Sequence, residues 1–460
     1  MSAGESAHPP SVRAFELILI LGACVAIAFI SAVEPALVIP AIVLIVVAAL
    51  ALRSPFVSLV VFILILLTRP ADFVPALAVF SPAKVAAFGA LSIFLATRLL
   101  DGRITWARVP QNRALIFFAV AAFLSGLLGS DPTSSRIVYL DVFAKILILY
   151  FLIVNLVDTW SRALVVEYAL LAGAVFLSVY AIYQRFTSSD LIEGSRAAAV
   201  GLLGDPNDLA FTLMMAVPFA ILAVRESHRL SRLVHLAILG TLLAGVAVTQ
   251  SRGGILALGA ALYFLFRHRV KSRIVLVALM VVALVGLAVA SGLGSRESYD
   301  PSGGDASATG RLDAWKAGAR MVLAHPLLGV GFDQFVANYF TYVQNPVEWT
   351  ARTAHNTFVL AIAETGFAGF IPFMMLIAVT ARDALTLEHQ PGPAGLARAL
   401  RQSQLARLCA ILVAAFFLSQ TWNWFLYIVI ALTAATARVG RIESAAAAAA
   451  STPQAPPPAT

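Results

Sequence analysis

The chain has 460 residues, of which 60% are hydrophobic and only 12% are charged, and its mean hydropathy is +0.89. These values exclude a soluble globular protein. The formal net charge of +8 raises the question of nucleic-acid binding, but the positive residues lie in short loops between apolar runs, and we therefore expect no nucleic-acid partner.

Apolar runs recur from Phe15 to Ala437. Most have about 17 to 25 residues, the length that crosses the hydrocarbon core of a bilayer as a helix. They lack the alternation of a barrel strand. We therefore predict an all-α polytopic membrane protein with a bundle of about 12–14 transmembrane helices. Candidate spans lie near 15–33, 36–52, 56–68, 82–98, 114–130, 137–154, 163–184, 208–224, 233–249, 253–266, 273–291, 355–380, 405–420 and 422–437.

The positive residues of four short loops indicate the topology. They are Arg98, Arg103, Arg108 and Arg113; Arg225, Arg229 and Arg232; Arg267, Arg269, Lys271 and Arg273; and Arg382, Arg398, Arg401 and Arg407. With 14 spans and a cytoplasmic N-terminus, all four loops are cytoplasmic, as the positive-inside rule requires. The predicted outer segments are then 68–82, 129–136, 185–207, 250–254 and 292–354.

This topology divides the chain into five parts. They are a short cytoplasmic N-terminus (1–14), the first part of the bundle (15–291), a large periplasmic loop (292–354), the C-terminal part of the bundle (355–437) and a disordered cytoplasmic tail (438–460). The second half of the large loop has helical periodicity and interfacial aromatic residues, which predicts helices lying as a lid over the bundle. The tail is rich in alanine and proline, which is typical of low-complexity sequence.

Several polar residues fall in the predicted outer segments. They are Arg196, Asn207, Arg252, Arg311 and the pair His355–Asn356. The forked donors of arginine suit phosphate oxygens, so arginines at one membrane surface would bind a lipid-linked diphosphate and stabilise it as a leaving group. A histidine with a pKa near neutrality would accept a proton from an acceptor hydroxyl.

Each of these residues also has a structural interpretation. Arg252 and Arg311 would anchor helices at the interface, and Arg196 would be a solvated loop charge. His355 would be a helix N-terminal residue, and Asn356 a helix cap. Glu364 lies nine residues after His355, about 13 Å deeper and about 180° around a regular helix, so we expect it to bond to another helix and not to orient the histidine.

The sequence offers little for other chemistries. It contains no Asp-x-Asp pair for a metal-bound nucleotide sugar, no phosphate-binding Gly-x-x-x-x-Gly-Lys-Ser/Thr and no His/Cys constellation with metal-ligand spacing. We therefore expect neither a metal site nor a cofactor.

The polar segments together resemble the bacterial O-antigen ligase and polymerase superfamily. The most specific part of the resemblance runs from about Gly201 to Gly369. It includes Asp205-Pro-Asn207, Gln250-Ser-Arg252-Gly-Gly, Gly310-Arg311 with Trp315, His325-Pro326-Leu-Leu-Gly329-Val-Gly331-Phe332, and His355-Asn356 with Glu364-x-Gly366.

The resemblance implies a metal-independent membrane glycosyltransferase in the bacterial inner (cytoplasmic) membrane with its active site facing the periplasm. Its donor would be a glycan linked to undecaprenyl diphosphate, and its acceptor a hydroxyl of lipid A-core, of another glycan or of a protein. The superfamily's arginines correspond to Arg252 and Arg311, and more loosely to Arg196, and its histidine corresponds to His355. Asn207, Asn356 and Glu364 would support this site. Attack opposite the departing diphosphate predicts inversion at the anomeric carbon.

Three alternatives stay open at this point. The motifs do not separate a ligase from an O-antigen or exopolysaccharide polymerase. A transporter would bind and move the same lipid-linked anion without catalysis, although ionisable residues are scarce within the spans. A membrane scaffold would leave the polar residues without a purpose.

Overall fold

A computed structural model describes residues 52, 54–73, 77, 79, 81–102, 105–188, 191–192, 195–199, 204–292, 299–300, 304–344, 351–390 and 393–451. The predicted spans near 15–33 and 36–52 lie outside these residues apart from Leu52.

The described chain is almost entirely helical. The helices are α1 Pro55–Thr68, α2 Pro70–Phe73, α3 Pro82–Leu100, α4 Pro110–Leu128, α5 Pro132–Val138, a π-helical turn Tyr139–Phe143, α6 Ala144–Leu156, α7 Trp160–Thr187, α8 Pro206–Leu213, α9 Val217–Glu226, α10 Arg229–Thr249, α11 Arg252–Phe266, α12 Arg273–Ala290, α13 Ala306–Ala324, α14 Phe335–Tyr342, α15 Thr357–His389, α16 Leu396–Ala415 and α17 Trp424–Ser451. A short antiparallel hairpin, β1 Tyr299–Asp300 and β2 Gly304–Asp305, pairs Tyr299 with Asp305 and precedes α13.

The fold class is confirmed as an all-α polytopic membrane protein. Among the described residues, ten helical segments are long and apolar enough to cross a membrane, and α11 is a shorter apolar helix. The predicted span near 208–224 is two helices, α8 and α9, that meet at residues 214–216.

Two predicted boundaries differ from the structure. α17 continues to Ser451, so the first part of the predicted tail 438–460 is helical; its alanines are strong helix formers. The fourth positive cluster is not a loop, because α15 continues to His389 and α16 begins at Leu396. Arg407 is 0% exposed within α16 and its Nη2 lies 2.5 Å from Glu167 Oε1, so its charge is paired inside the bundle.

α15 is interrupted at Gly366, whose φ of 57° and ψ of −164° are not helical. The segment 326–331 fills this break. Phe367 N donates to Pro326 O at 2.8 Å, and Val330 N donates to Ala363 O at 2.9 Å. A Cβ on Gly366 would lie 2.4 Å from the carbonyl of Leu327, so only glycine allows this approach. The break joins the segment that carries α13 and α14 to the bundle.

The predicted topology is tested by a matched pair of single cysteines, Lys316→Cys and Lys271→Cys, in a background in which Cys24 and Cys409 are serine. Both lysines are exposed, on α13 and in the loop before α12. We expect an impermeant thiol reagent applied from the periplasm to label the first, and to label the second only after the membrane is opened. Reversed labelling would contradict the predicted orientation.

Candidate functional site

Segments that are distant in sequence meet at one end of the bundle, called the site end below. Its helices begin with side-chain caps: Asp131 caps α5, Asp205 caps α8, Ser251 caps α11 and Asn356 caps α15. Helix N-termini are places where backbone N–H groups and the helix dipole favour anions.

Arg196 and Asn207 form the first part of the site. Arg196 is only 3% exposed, so it is not a solvated loop charge. Its Nε donates to Thr249 O at 3.0 Å, and its Nη2 donates to Asn207 Oδ1 at 2.9 Å. The same Asn207 oxygen accepts from Ser251 Oγ at 2.8 Å, and Asn207 Nδ2 donates to Asp205 Oδ1 at 2.9 Å. This network fixes the turn before α11 against the start of α8.

Arg252 follows that turn as the first residue of α11, and it is exposed. The two glycines after it allow close packing. A Cβ on Gly254 would lie 2.7 Å from Ala210 Cβ, and a Cβ on Gly253 would contact Phe417 at 3.4 Å. The neighbours of this Gly-Gly pair are thus α8 and the chain after α16, which hold the helix N-terminus beneath Arg252 in place.

His355 forms the second part of the site. Its backbone has a φ of 45°, a left-handed conformation that a residue other than glycine adopts only when its surroundings require it. Its N–H donates to Ser419 Oγ at 2.9 Å, and Thr353 Oγ1 bonds the same hydroxyl at 2.8 Å. Asn356 then caps α15 by accepting from Phe358 N at 2.9 Å and from Val359 N at 3.1 Å.

The imidazole of His355 has its pKa lowered below the ordinary value of 6.5. Burial is the main cause, followed by the positive charge of Arg311; Arg352 acts in the same direction, and Asp205 opposes them. These effects place His355 within electrostatic reach of Arg311, Arg352 and Asp205. Because Asp205 also bonds Asn207, the two parts of the site adjoin.

Arg352 is a site residue that the sequence analysis missed. A Cβ on Gly310 would lie 2.5 Å from Arg352 Nη1 and 2.8 Å from its Cζ, so this guanidinium lies directly on the glycine before Arg311. Trp315 Nε1 donates to Ala354 O at 2.9 Å, and this bond holds α13 to the segment between Arg352 and His355. Gly310 and Trp315 thus hold α13 against the segment of chain that leads to His355.

Residues 416–423, between α16 and α17, form a loop that crosses the site end, called the 416–423 loop. Besides Ser419, it contributes Gln420, whose N–H donates to Thr357 Oγ1 at 2.9 Å and whose Nε2 donates to Asp208 Oδ1. Sequence reasoning missed these residues because it assigned Ser419, Gln420 and Trp422 to two adjoining spans. The run Ser-Gln-Thr-Trp-Asn between apolar stretches was the signal that could have shown a loop.

Glu364 lies beneath this loop and is buried. Its Oε1 accepts from Phe335 N at 2.9 Å and its Oε2 from Trp422 Nε1 at 2.5 Å, while its carbonyl accepts from Ser125 Oγ. Its carboxylate therefore connects α14 and the 416–423 loop to α15. Among the residues that the structure describes, Phe335 and Trp422 bond the carboxylate, and His355 is not one of its partners.

Comparisons with known proteins agree with the resemblance found in the sequence. A family described as O-antigen ligase matches residues 236–374, which include Arg252, Arg311 and His355. The chain is similar to the exopolysaccharide production protein ExoQ of Rhizobium meliloti (strain 1021), with 26% identity over 230 residues, covering 46% of this chain and 52% of that protein. The chain thus spans about half the length of this curated relative. The resemblance to the O-antigen ligase and polymerase superfamily is confirmed.

Proposed function

We propose that this multi-pass membrane protein transfers glycan from an undecaprenyl-diphosphate-linked donor to an acceptor hydroxyl. The proposal starts from its similarity to O-antigen ligases over residues 236–374. The reaction would take place at the periplasmic face of the bacterial inner membrane. The observation that carries this proposal is that the partly buried imidazole of His355 lies within electrostatic reach of Arg311, Arg352 and Asp205 at the site end.

The donor diphosphate would bind at the N-terminus of α11, where Arg252 is exposed. There it would lie between Arg252 and Arg311, which is on α13. Arg196 donates hydrogen bonds to Thr249 and Asn207, so it would hold the turn before α11 and add positive charge near that turn. Two guanidinium groups and helix N–H groups together suit the oxygens of a diphosphate.

The acceptor hydroxyl would attack the anomeric carbon while His355 takes its proton. The bond from that carbon to the diphosphate oxygen breaks, and the oxygen leaves with the electron pair, stabilised by Arg252 and Arg311. Burial and the neighbouring arginines keep His355 neutral near pH 7, which is the form that accepts a proton. Attack and departure on opposite faces would invert the anomeric configuration.

The similarity to ExoQ bears on the acceptor. That protein's name refers to exopolysaccharide production, which favours a polymerase whose acceptor is another carrier-linked glycan. The same chemistry would also serve a ligase whose acceptor is lipid A-core, or an enzyme whose acceptor is a protein hydroxyl.

The test is to incubate the purified full chain with a defined lipid-linked oligosaccharide and each class of acceptor. We expect release of carrier diphosphate together with an elongated or transferred glycan, without added metal. Binding of the donor and movement across vesicles without diphosphate release would contradict the proposal and indicate a transporter.

The pH dependence of this reaction should have an acid limb that belongs to His355. Because the pKa of the imidazole is lowered, the neutral base persists to pH values below 6.5, and kcat/KM should fall only as the pH drops through the lowered pKa. Arg352→Gln removes one positive charge, so its acid limb should move to higher pH. An acid limb that is unchanged in this variant and centred above 6.5 would show that another group titrates.

A further inference from the structure

A second cluster of polar side chains lies at the end of the bundle opposite the site end. It contains His268, in the turn after α11, and Glu388 and His389, at the end of α15. One ligand atom from each of the three lies within 4.8 Å of the others, and both histidines are exposed. The mechanism proposed above uses none of these groups.

Two of the three side chains of this cluster are held by contacts behind them. His389 Nδ1 lies 2.9 Å from Leu385 O; a carbonyl only accepts, so Nδ1 carries the proton and Nε2 keeps its lone pair. Glu388 Oε2 is held by Arg267 Nη2 at 2.5 Å, while its Oε1 faces His268 Nε2 at 4.0 Å. A backbone carbonyl behind a histidine and a cation behind a carboxylate are the outer contacts that commonly orient metal ligands.

We propose that His268, Glu388 and His389 form a binding site for a divalent transition-metal ion of the zinc class. Two imidazoles and one carboxylate are a donor set that Zn²⁺ binds, with a fourth position left for water. Ligand atoms around a tetrahedral zinc ion lie about 3.3 Å apart, so the side chains close in by rotation at an exposed turn and helix end. The ion is separate from the glycan-transfer site and takes no part in its chemistry.

The place of this site in the fold gives it a structural effect. α11 begins with Arg252 and α15 begins just after His355 and Asn356, so both helices start at the site end and finish at the cluster. One ion bound there would hold the far ends of these two helices together. Occupancy is therefore expected to stabilise the bundle by an amount that rises with the logarithm of the ion concentration above Kd.

The experiment is titration of ZnCl2 into the purified full chain, prepared without an oligohistidine tag, by isothermal calorimetry. We expect one saturable site. His268→Gln, Glu388→Gln and His389→Gln should each weaken binding by about tenfold or more. The matched control is His228→Gln, which changes another exposed histidine at a helix start and should bind like the parent.

Cobalt(II) supplies a second, optical measurement, since a four-coordinate Co²⁺ ion with nitrogen and oxygen ligands has a visible absorption band much stronger than that of the hydrated ion. The band should appear with the parent and the control variant and be lost in the three ligand variants. The proposed site would be overturned if the parent showed no saturable zinc binding. It would also be overturned if His268→Gln and His389→Gln kept the parental melting temperature and bound zinc as tightly as the parent.

Discussion

Replacing His355 with asparagine should lower the rate of glycan transfer by about 10²–10⁴ while donor affinity changes little, because the variant removes a proton acceptor and no diphosphate contact. Asparagine is the informative substitution here. It tolerates the left-handed backbone at this position, where φ is 45°, better than alanine does. The backbone N–H that bonds Ser419 Oγ is retained, so the entry into α15 should be preserved.

Rates are to be measured under single-turnover conditions. Donor binding is to be measured separately, with an acceptor that lacks the reactive hydroxyl. Ser419→Ala is the matched comparison, since it removes the hydroxyl that holds the His355 backbone and leaves the imidazole in place. It should reduce the rate less than His355→Asn and keep the acid limb of the pH profile. Near-parental turnover of His355→Asn would reject the role of general base, and loss of donor binding alone would assign His355 to substrate positioning.

Replacing Arg252 or Arg311 with lysine should lower kcat/KM by about tenfold or more, and replacing either with glutamine by about 10²–10³. Lysine keeps the charge but loses the forked pair of donors that two diphosphate oxygens require. The effect should be larger on kcat than on donor affinity, because charge on the departing oxygen is greatest in the transition state.

Arg320→Lys is the control for this pair. Arg320 lies on α13 with Arg311, but its guanidinium bonds Tyr342 O at 2.9 Å and Gln344 Oε1 at 2.8 Å, on the side of α14. It should retain near-parental activity. If Arg252→Lys and Arg311→Lys also bind donor and react normally, these arginines only anchor their helices at the interface.

Much of this architecture was readable from hydropathy and charge. Apolar runs of membrane-spanning length gave the helices, because a bilayer forces backbone groups to bond within a helix. Arg401 and Arg407 were misplaced because their charge suggested a loop. Hydropathy of the chain alone carries no information about Glu167, which pairs with Arg407 from a helix distant in sequence.

The candidate site was only partly predictable for a related reason. Arg252, Arg311 and His355 stand in recognisable short motifs, whereas Arg352 and the 416–423 loop have no local pattern that marks them. Their part in the site depends on tertiary contacts, such as Arg352 on Gly310 and Gln420 on Asp208. A buried Arg196 was equally hidden, since its acceptors Thr249 and Asn207 come from two other segments.

The interruption of α15 at Gly366 sets an order of assembly during biosynthesis. The segment 326–331 leaves the ribosome before α15, yet Val330 N and the carbonyl of Pro326 find their partners on Ala363 and Phe367. The 416–423 loop follows later still, and it supplies Ser419 to His355 and Trp422 to Glu364. A nascent chain that stops after α15 therefore holds His355 without its Ser419 contact, and the site end is complete only when the final two helices have entered the membrane.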